Sequence, residues 1–126
     1  MPVLDASFLI GISHRDQRCL ALMRRLQDEG RPCRIPAAAW MEFLAGVTPA
    51  QRRPVGTFLS EAGSFVPLDR PLAEAAADLQ HGFLRQGTRR GWNDLQVAAT
   101  ALILGEPIVS LDGGFDGIAG VEVVRP

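Results

Sequence analysis

The sequence has 126 residues, 47% of them hydrophobic and 21% charged, and its 13 basic side chains against 14 acidic ones leave a net charge of −1. That length suits a single domain able to bury about two thirds of its unfolded surface. The composition excludes a disordered chain, and the near-neutral balance provides no whole-molecule field for gathering nucleic acid. Every basic residue is an arginine, so no chemistry that needs a catalytic amine is available.

The predicted elements alternate between short β-like runs and helices. Pro2 to Leu4 reads as a strand, followed by the apolar run SFLIGI. From Gln17 to Asp28 the spacing of Cys19, Leu22, Met23 and Leu26 is helical, ended by Gly30 and Pro32. Cys33 to Ile35 reads as a second strand, and a helix carrying Glu42 runs to Gly46. Thr48 as N-cap and Pro49 at the first position open a helix to about Glu61. Ser64 to Leu68 is the third strand; Asp69-Arg70-Pro71 then starts a helix with Leu72, Ala76, Leu79 and Phe83 on one face, stopped by Gly87. After the loop GTRRG comes WNDLQVAATALILG, where Asn93 and Gln96 form an expected capping box and Trp92 packs on Val97 as a hydrophobic staple. Pro107 to Ser110 and Val121 to Val124 complete five strands.

Strands alternating with helices imply a mainly parallel sheet flanked by helices, an α/β fold in one domain spanning 1–126. No apolar run reaches the length of a membrane span, and the amino terminus has no basic segment ahead of its apolar run. Two cysteines, Cys19 and Cys33, are too few for a disulfide framework and are expected to be free. The expected location is the cytoplasm.

Parallel sheets present ligand sites at the carboxyl ends of their strands. Asp5 directly follows the first strand, Asp112 follows the fourth after one residue, and Asp94 lies in the first turn of the helix that precedes that strand. Glu42 lies one turn or so into PAAAWMEFLAG, a helix apolar on nearly every side. Such a helix is normally buried, and a buried carboxylate needs a partner, so Glu42 reads as an acid held against a dry wall at the same edge. Clustered carboxylates raise one another's pKa and stay ionised only beside a cation. An all-oxygen set suits Mg²⁺ or Mn²⁺, whereas His14 and His81 lack the neighbours a zinc site requires.

At these residues the chain resembles the PIN domains, in particular the VapC-type toxin ribonucleases. The resemblance rests on VLDASFLI with Asp5, AAAWMEFLAG with Glu42, NDLQVAATALILGEPIVSLD with Asp94 and Asp112, and the closing FDGIAGVEVV, and it covers essentially the whole chain. It implies a metal-dependent endoribonuclease with Asp5, Asp94 and Asp112 as ligands of Mg²⁺ or Mn²⁺ and Glu42 as ligand or orienter. It also implies supporting hydrogen bonds from Ser7 and Ser110, an RNA substrate, a VapB-like antitoxin and a homodimer. Many relatives carry another Asp at the place of Gly114; here Asp116 is the displaced, weaker candidate. Arg89 and Arg90 stand just before Asp94, where they could hold phosphates, and Trp92 could stack a base there instead of acting as the staple.

Two other α/β acidic sites are excluded by residues. A receiver domain needs a lysine, and a haloacid-dehalogenase phosphatase needs Asp-x-Asp where this chain has Asp5-Ala6-Ser7. The alternative of a different class is a PIN-like fold that no longer cuts and serves as an RNA-binding or protein-interaction module.

Overall fold

The computed structural model describes residues 1–126. Five parallel strands, β1 (Val3–Leu4), β2 (Cys33–Pro36), β3 (Gly63–Val66), β4 (Ile108–Val109) and β5 (Val123–Val124), lie in the order β3-β2-β1-β4-β5. The helices are α1 (Ala6–Ser13), α2 (Gln17–Asp28), α3 (Ala37–Gly46), α4 (Arg53–Ala62), α5 (Arg70–Arg85) and α6 (Trp92–Leu104). The expected mainly parallel sheet flanked by helices is the one observed. The chain winds outward from β1 through β2 to β3, then returns to the other side of β1 for β4 and β5. Strand order therefore reverses between β1 and β4, which is where open α/β sheets form a ligand crevice.

Val3, Leu4 and Ile108 are fully buried and Val109 nearly so, because β1 and β4 are covered on both faces. On one side Phe8, Leu9, Ile12, Cys19, Leu22, Leu26, Phe43, Val55 and Phe58 form the larger cluster with Leu4 and Val109. On the other, Val97, Ala98 and Ala101 of α6 pack with Val3, Ile108, Phe115 and Ile118. α1 and α2 meet at Gly11, where an added Cβ would stand 2.5 Å from the sulfur of Cys19. Both cysteines are buried and free, and burial pushes each thiol up to about 11.

Three local departures from the sequence reading have identifiable causes. The helix expected from Pro49 begins only at Arg53. Thr48 and Gln51 do make reciprocal bonds, Gln51 N–H donating to Thr48 Oγ1 at 3.3 Å and Thr48 N–H to Gln51 Oε1 at 2.8 Å. They close a separate turn, because Pro54 has no N–H for the carbonyl of Ala50. Pro67 ends β3 for the same reason. The third departure concerns α3, which buries only Ala38, Ala39 and Phe43 and leaves Met41 56% exposed. It is a half-exposed helix whose solvent face happens to be apolar, and Glu42 is exposed there with it.

Candidate metal centre

Register brings the first two site residues together. Leu4 of β1 pairs with Val109 of β4, and Asp5 N–H continues the ladder to the carbonyl of Val109 at 3.0 Å. Asp5 therefore stands opposite Ser110 at the carboxyl edge. Asp5 is 4% exposed and holds the N-cap position of α1 without capping it; its carboxylate serves another purpose. Ser110 Oγ donates to Asp5 Oδ2 at 2.9 Å and Ser7 Oγ donates to the same oxygen at 3.0 Å. The two hydroxyl oxygens lie 3.0 Å apart. Each in turn accepts a backbone amide at 3.0 Å, Ser7 from Leu111 and Ser110 from Asp112. A hydroxyl has one proton to give, so two amides fix two serines and two serines fix one carboxylate oxygen. Oδ1 is left for another partner. The supporting contacts expected of Ser7 and Ser110 are present.

The other acids arrive from separate elements. Asp94 sits in the first turn of α6 and makes no hydrogen bond through its carboxylate. Its carboxyl is held above the ordinary value by burial first, then by the charges of Asp5, Glu42 and Asp112, with Arg90 acting in the opposite sense. Asp94 thus feels all three other acids. Glu42 Oε1 accepts from the side-chain amide of Asn93 at 2.7 Å, which ties α3 to α6. Asp112 Oδ1 accepts from Gly114 N–H at 3.1 Å. Gly114 lies against the cluster: a Cβ there would stand 3.2 Å from Asp94 Oδ2 and 3.6 Å from both carboxylate oxygens of Asp112.

The donor set is all oxygen and negatively charged, the chemistry that suits a hard divalent cation. As the side chains stand, no three of them converge closely enough to enclose one ion. Glu42 is turned to Asn93 and Asp112 to Gly114, as mutual repulsion favours, so holding an ion requires side-chain rotations at these two surface positions.

Several expectations around the cluster are corrected. Asn93 does not cap α6; Gly91 holds the N-cap position with no side-chain cap, so the capping box with Gln96 is absent. The helix starts at Trp92 itself, too late for the staple, and Trp92 is 46% exposed. Asn93 was available for the cap by sequence, but its amide satisfies Glu42 instead. Asp116 is turned from the cluster by Arg125, whose Nη2 reaches Asp116 Oδ1 and Oδ2 at 3.1 and 3.2 Å. Arg90 is half-buried and its guanidinium is engaged within the protein. Its Nη1 donates to the Gly114 carbonyl at 2.7 Å, its Nη2 to the Asp116 carbonyl at 3.0 Å, and the guanidinium lies 4.9 Å from the Phe83 ring centre. Only Arg89 remains exposed, and it enters none of the ion pairs.

Two arginines grip the loop carrying Asp112: Arg90, which the sequence reading gave to phosphates, and Arg125, which it did not find. Arg90 acts as above, while Arg125 Nη1 donates to the Asp112 carbonyl at 3.2 Å. Gln80, 2% exposed, holds Arg90 from behind through both backbone groups, at 2.7 and 3.1 Å. A glutamine on the apolar face of α5 was the available signal. A surface depression of about 400 Å³ lies elsewhere, among Gln27, Asp28, Arg31 and Glu61 at the amino ends of β2 and β3.

The fold has structural counterparts. A chain of the DNA-bound VapBC2 complex from Rickettsia felis superposes with a TM-score of 0.81 at 16% identity, over 98% of this chain and 96% of that one. For DNA-bound VapBC from Salmonella typhimurium the values are 0.78, 21%, 99% and 98%. For VapBC-5 from Mycobacterium tuberculosis they are 0.66, 26%, 99% and 98%. Among curated protein sequences none matches this chain. The PIN-domain family model matches residues 3–121, a span that holds every acid of the cluster together with Ser7 and Ser110. With the sheet order, the acidic edge and that match in agreement, the chain belongs to the PIN-domain family.

Proposed function

We propose that the protein is a metal-dependent endoribonuclease acting as the toxin of a VapBC-type toxin–antitoxin pair. The observation that carries this reading is the charge state of the cluster. Asp94, with no donor of its own, lies near Asp5, Glu42 and Asp112, and its proton affinity is raised by burial first and then by the charges of all three. Folding gathers that uncompensated charge at the switch point of the sheet, a costly arrangement unless a cation is to be held there.

Asp5, Asp94 and Asp112 are the residues to hold Mg²⁺ or Mn²⁺, with Glu42 as ligand or orienter. A bound divalent cation supplies a more acidic water and offsets charge on a phosphodiester. The chain's own contribution is positioning. Ser7 and Ser110 fix Asp5 through Oδ2 and leave Oδ1 without a donor, Asn93 holds Glu42, and Arg90 with Arg125 fix the carbonyls around Asp112. Arg89, exposed and unpaired, is placed to contact RNA phosphates.

A VapB-like antitoxin is part of the same reading, supported by the VapBC complexes among the structural counterparts, and a homodimer is proposed with it. No helix is long and apolar enough to cross a membrane, in keeping with the proposed cytoplasmic location. The test is cleavage of a panel of structured and single-stranded RNAs with Mg²⁺, with Mn²⁺ and with EDTA, beside Asp94→Asn. Cation-dependent cuts that vanish in the variant support the reading. Binding without cleavage by the wild type, in either cation, would replace it with a non-cutting RNA-binding module.

A further inference from the structure

The geometry points to Trp92 as a stacking platform for an unpaired base of the RNA, with Arg89 beside it on the backbone. This inference rests on the nuclease reading above and adds to it a residue that contacts the substrate beside the cleavage point.

Trp92 is the first residue of α6, so it is not a staple; it belongs to none of the buried clusters, and it takes part in no aromatic pair. The other tryptophan, Trp40, is half-buried and packs on Phe43 with ring centres 5.4 Å apart. An indole left 46% exposed forgoes part of a large apolar burial. Its position is specific. Trp92 adjoins Asn93, the partner of Glu42, and lies two residues before Asp94. A base stacked on it would be a neighbour of the acidic cluster.

The surroundings suit a nucleic-acid strand. Arg89, three residues earlier, is exposed and free of any carboxylate. The start of α6 has no side-chain cap, so its first amides are open to an anion. The loop is held in place independently, through Gln80 to the Arg90 backbone and Arg90 to the Gly114 and Asp116 carbonyls. Trp92 is therefore presented on a fixed segment. Aromatic platforms beside cations bind unpaired bases with little regard to sequence, and a base in a duplex does not offer its face.

Two readouts separate this inference from the reading beneath it. In a Trp40→Phe background Trp92 is the sole indole. Its fluorescence should be quenched saturably by oligoadenylate and not by duplex RNA, in Mg²⁺. Trp92→Ala should raise KM for a cleaved single-stranded RNA roughly ten- to hundred-fold with kcat within about twofold, and Trp92→Phe should restore most of the loss. Arg89→Ala should lower the salt dependence of binding by about one phosphate contact. Cleavage with an unchanged KM in Trp92→Ala, or equal quenching by duplex, overturns the platform and leaves the nuclease standing. Quenching by oligoadenylate without cleavage of any RNA overturns the nuclease and leaves the platform. Neither quenching nor cleavage overturns both.

Discussion

Ser110→Ala tests the claim that Asp5 is fixed by a chain of neutral donors. The hydroxyl is fully buried, gives one hydrogen bond to a carboxylate at 2.9 Å, and takes one from the Asp112 amide at 3.0 Å. A hydrogen bond to a charged group contributes about 1.5–3 kcal/mol, and the cavity left by one oxygen adds little. The Asp112 amide lies at the surface, where water replaces its acceptor. Ser110→Ala should therefore cost about 2 to 3 kcal/mol of stability, whereas Ser7→Ala, half-buried and open to water, should cost about 1 kcal/mol. Because both serines serve one oxygen, they are coupled. Removing the second takes the last donor from an almost buried carboxylate, so the double variant should lose about 1 kcal/mol more than the sum.

The assay is urea unfolding at neutral pH in EDTA, followed by tryptophan fluorescence and by far-ultraviolet circular dichroism. For a chain of this length a loss of 2 kcal/mol lowers Tm by roughly 6–10 °C. A Ser110→Ala variant within about 0.5 kcal/mol of wild type would refute the hydrogen-bonded chain, since that is the scatter of neutral surface substitutions. Strict additivity of the two serines would refute their convergence on one oxygen even if each alone were costly.

Asp94→Asn should stabilise the cation-free protein. The carboxyl is raised above 3.8 in the folded state, so the native protein binds that proton more tightly than the unfolded chain, and ionisation at higher pH works against folding. The cost is full above the folded value and is relieved as pH falls through it, so the gain, read as the urea midpoint in EDTA, should be largest at neutral pH and shrink in acid. Gly114→Ala should weaken Mg²⁺ binding by roughly tenfold, because the new methyl stands 3.2 Å from Asp94 Oδ2; the cation-induced rise in Tm measures it. Arg90→Ala should cost about 2 kcal/mol by loss of two carbonyl bonds and the Phe83 contact, while Arg89→Ala stays within about 0.5 kcal/mol on the same urea curve. Gly11→Ala should cost about 1–3 kcal/mol by overpacking, and Cys19→Ala should recover part of it, since the clash at 2.5 Å is with that sulfur.

The parts of the fold legible in the sequence were those governed by local rules. Asp69 caps α5 through its Oδ1 to Leu72 N–H at 3.0 Å, as the Asp-Arg-Pro signal requires, and the alternation of strands and helices led directly to a parallel sheet. The gathering of the acids was legible too, because position after a strand determines the edge on which a residue falls. What failed was decided by competition between nonlocal partners. Asn93 is as good a cap as a helix could ask for, yet Glu42 lies 51 residues away in sequence and takes its amide. Arg90 looked free because its acceptors are the carbonyls of Gly114 and Asp116, and carbonyl positions carry no sequence signature. The exposure of Glu42 was missed because an apolar sequence was equated with a buried one, whereas α3 leaves Met41 in solvent beside it.

The same competition explains how the cluster keeps its charge. The ion pairs of the protein use Asp16, Glu29, Glu74, Glu106 and Asp116, and none uses Asp5, Glu42, Asp94 or Asp112. Where donors do reach the cluster they are neutral: serine hydroxyls on Asp5, the Asn93 amide on Glu42, a backbone amide on Asp112. Two guanidinium groups stand close by, yet Arg90 and Arg125 direct their N–H groups to backbone carbonyls and to Asp116. Had either guanidinium paired with Asp94 or Asp112, the cluster would be a closed salt bridge with no affinity left for a cation. Neutral donors fix the direction of a carboxylate without cancelling its charge. The place of each acid along the backbone is thus set by the fold, and under the proposed reading the neutralisation of the acids falls to the bound cation.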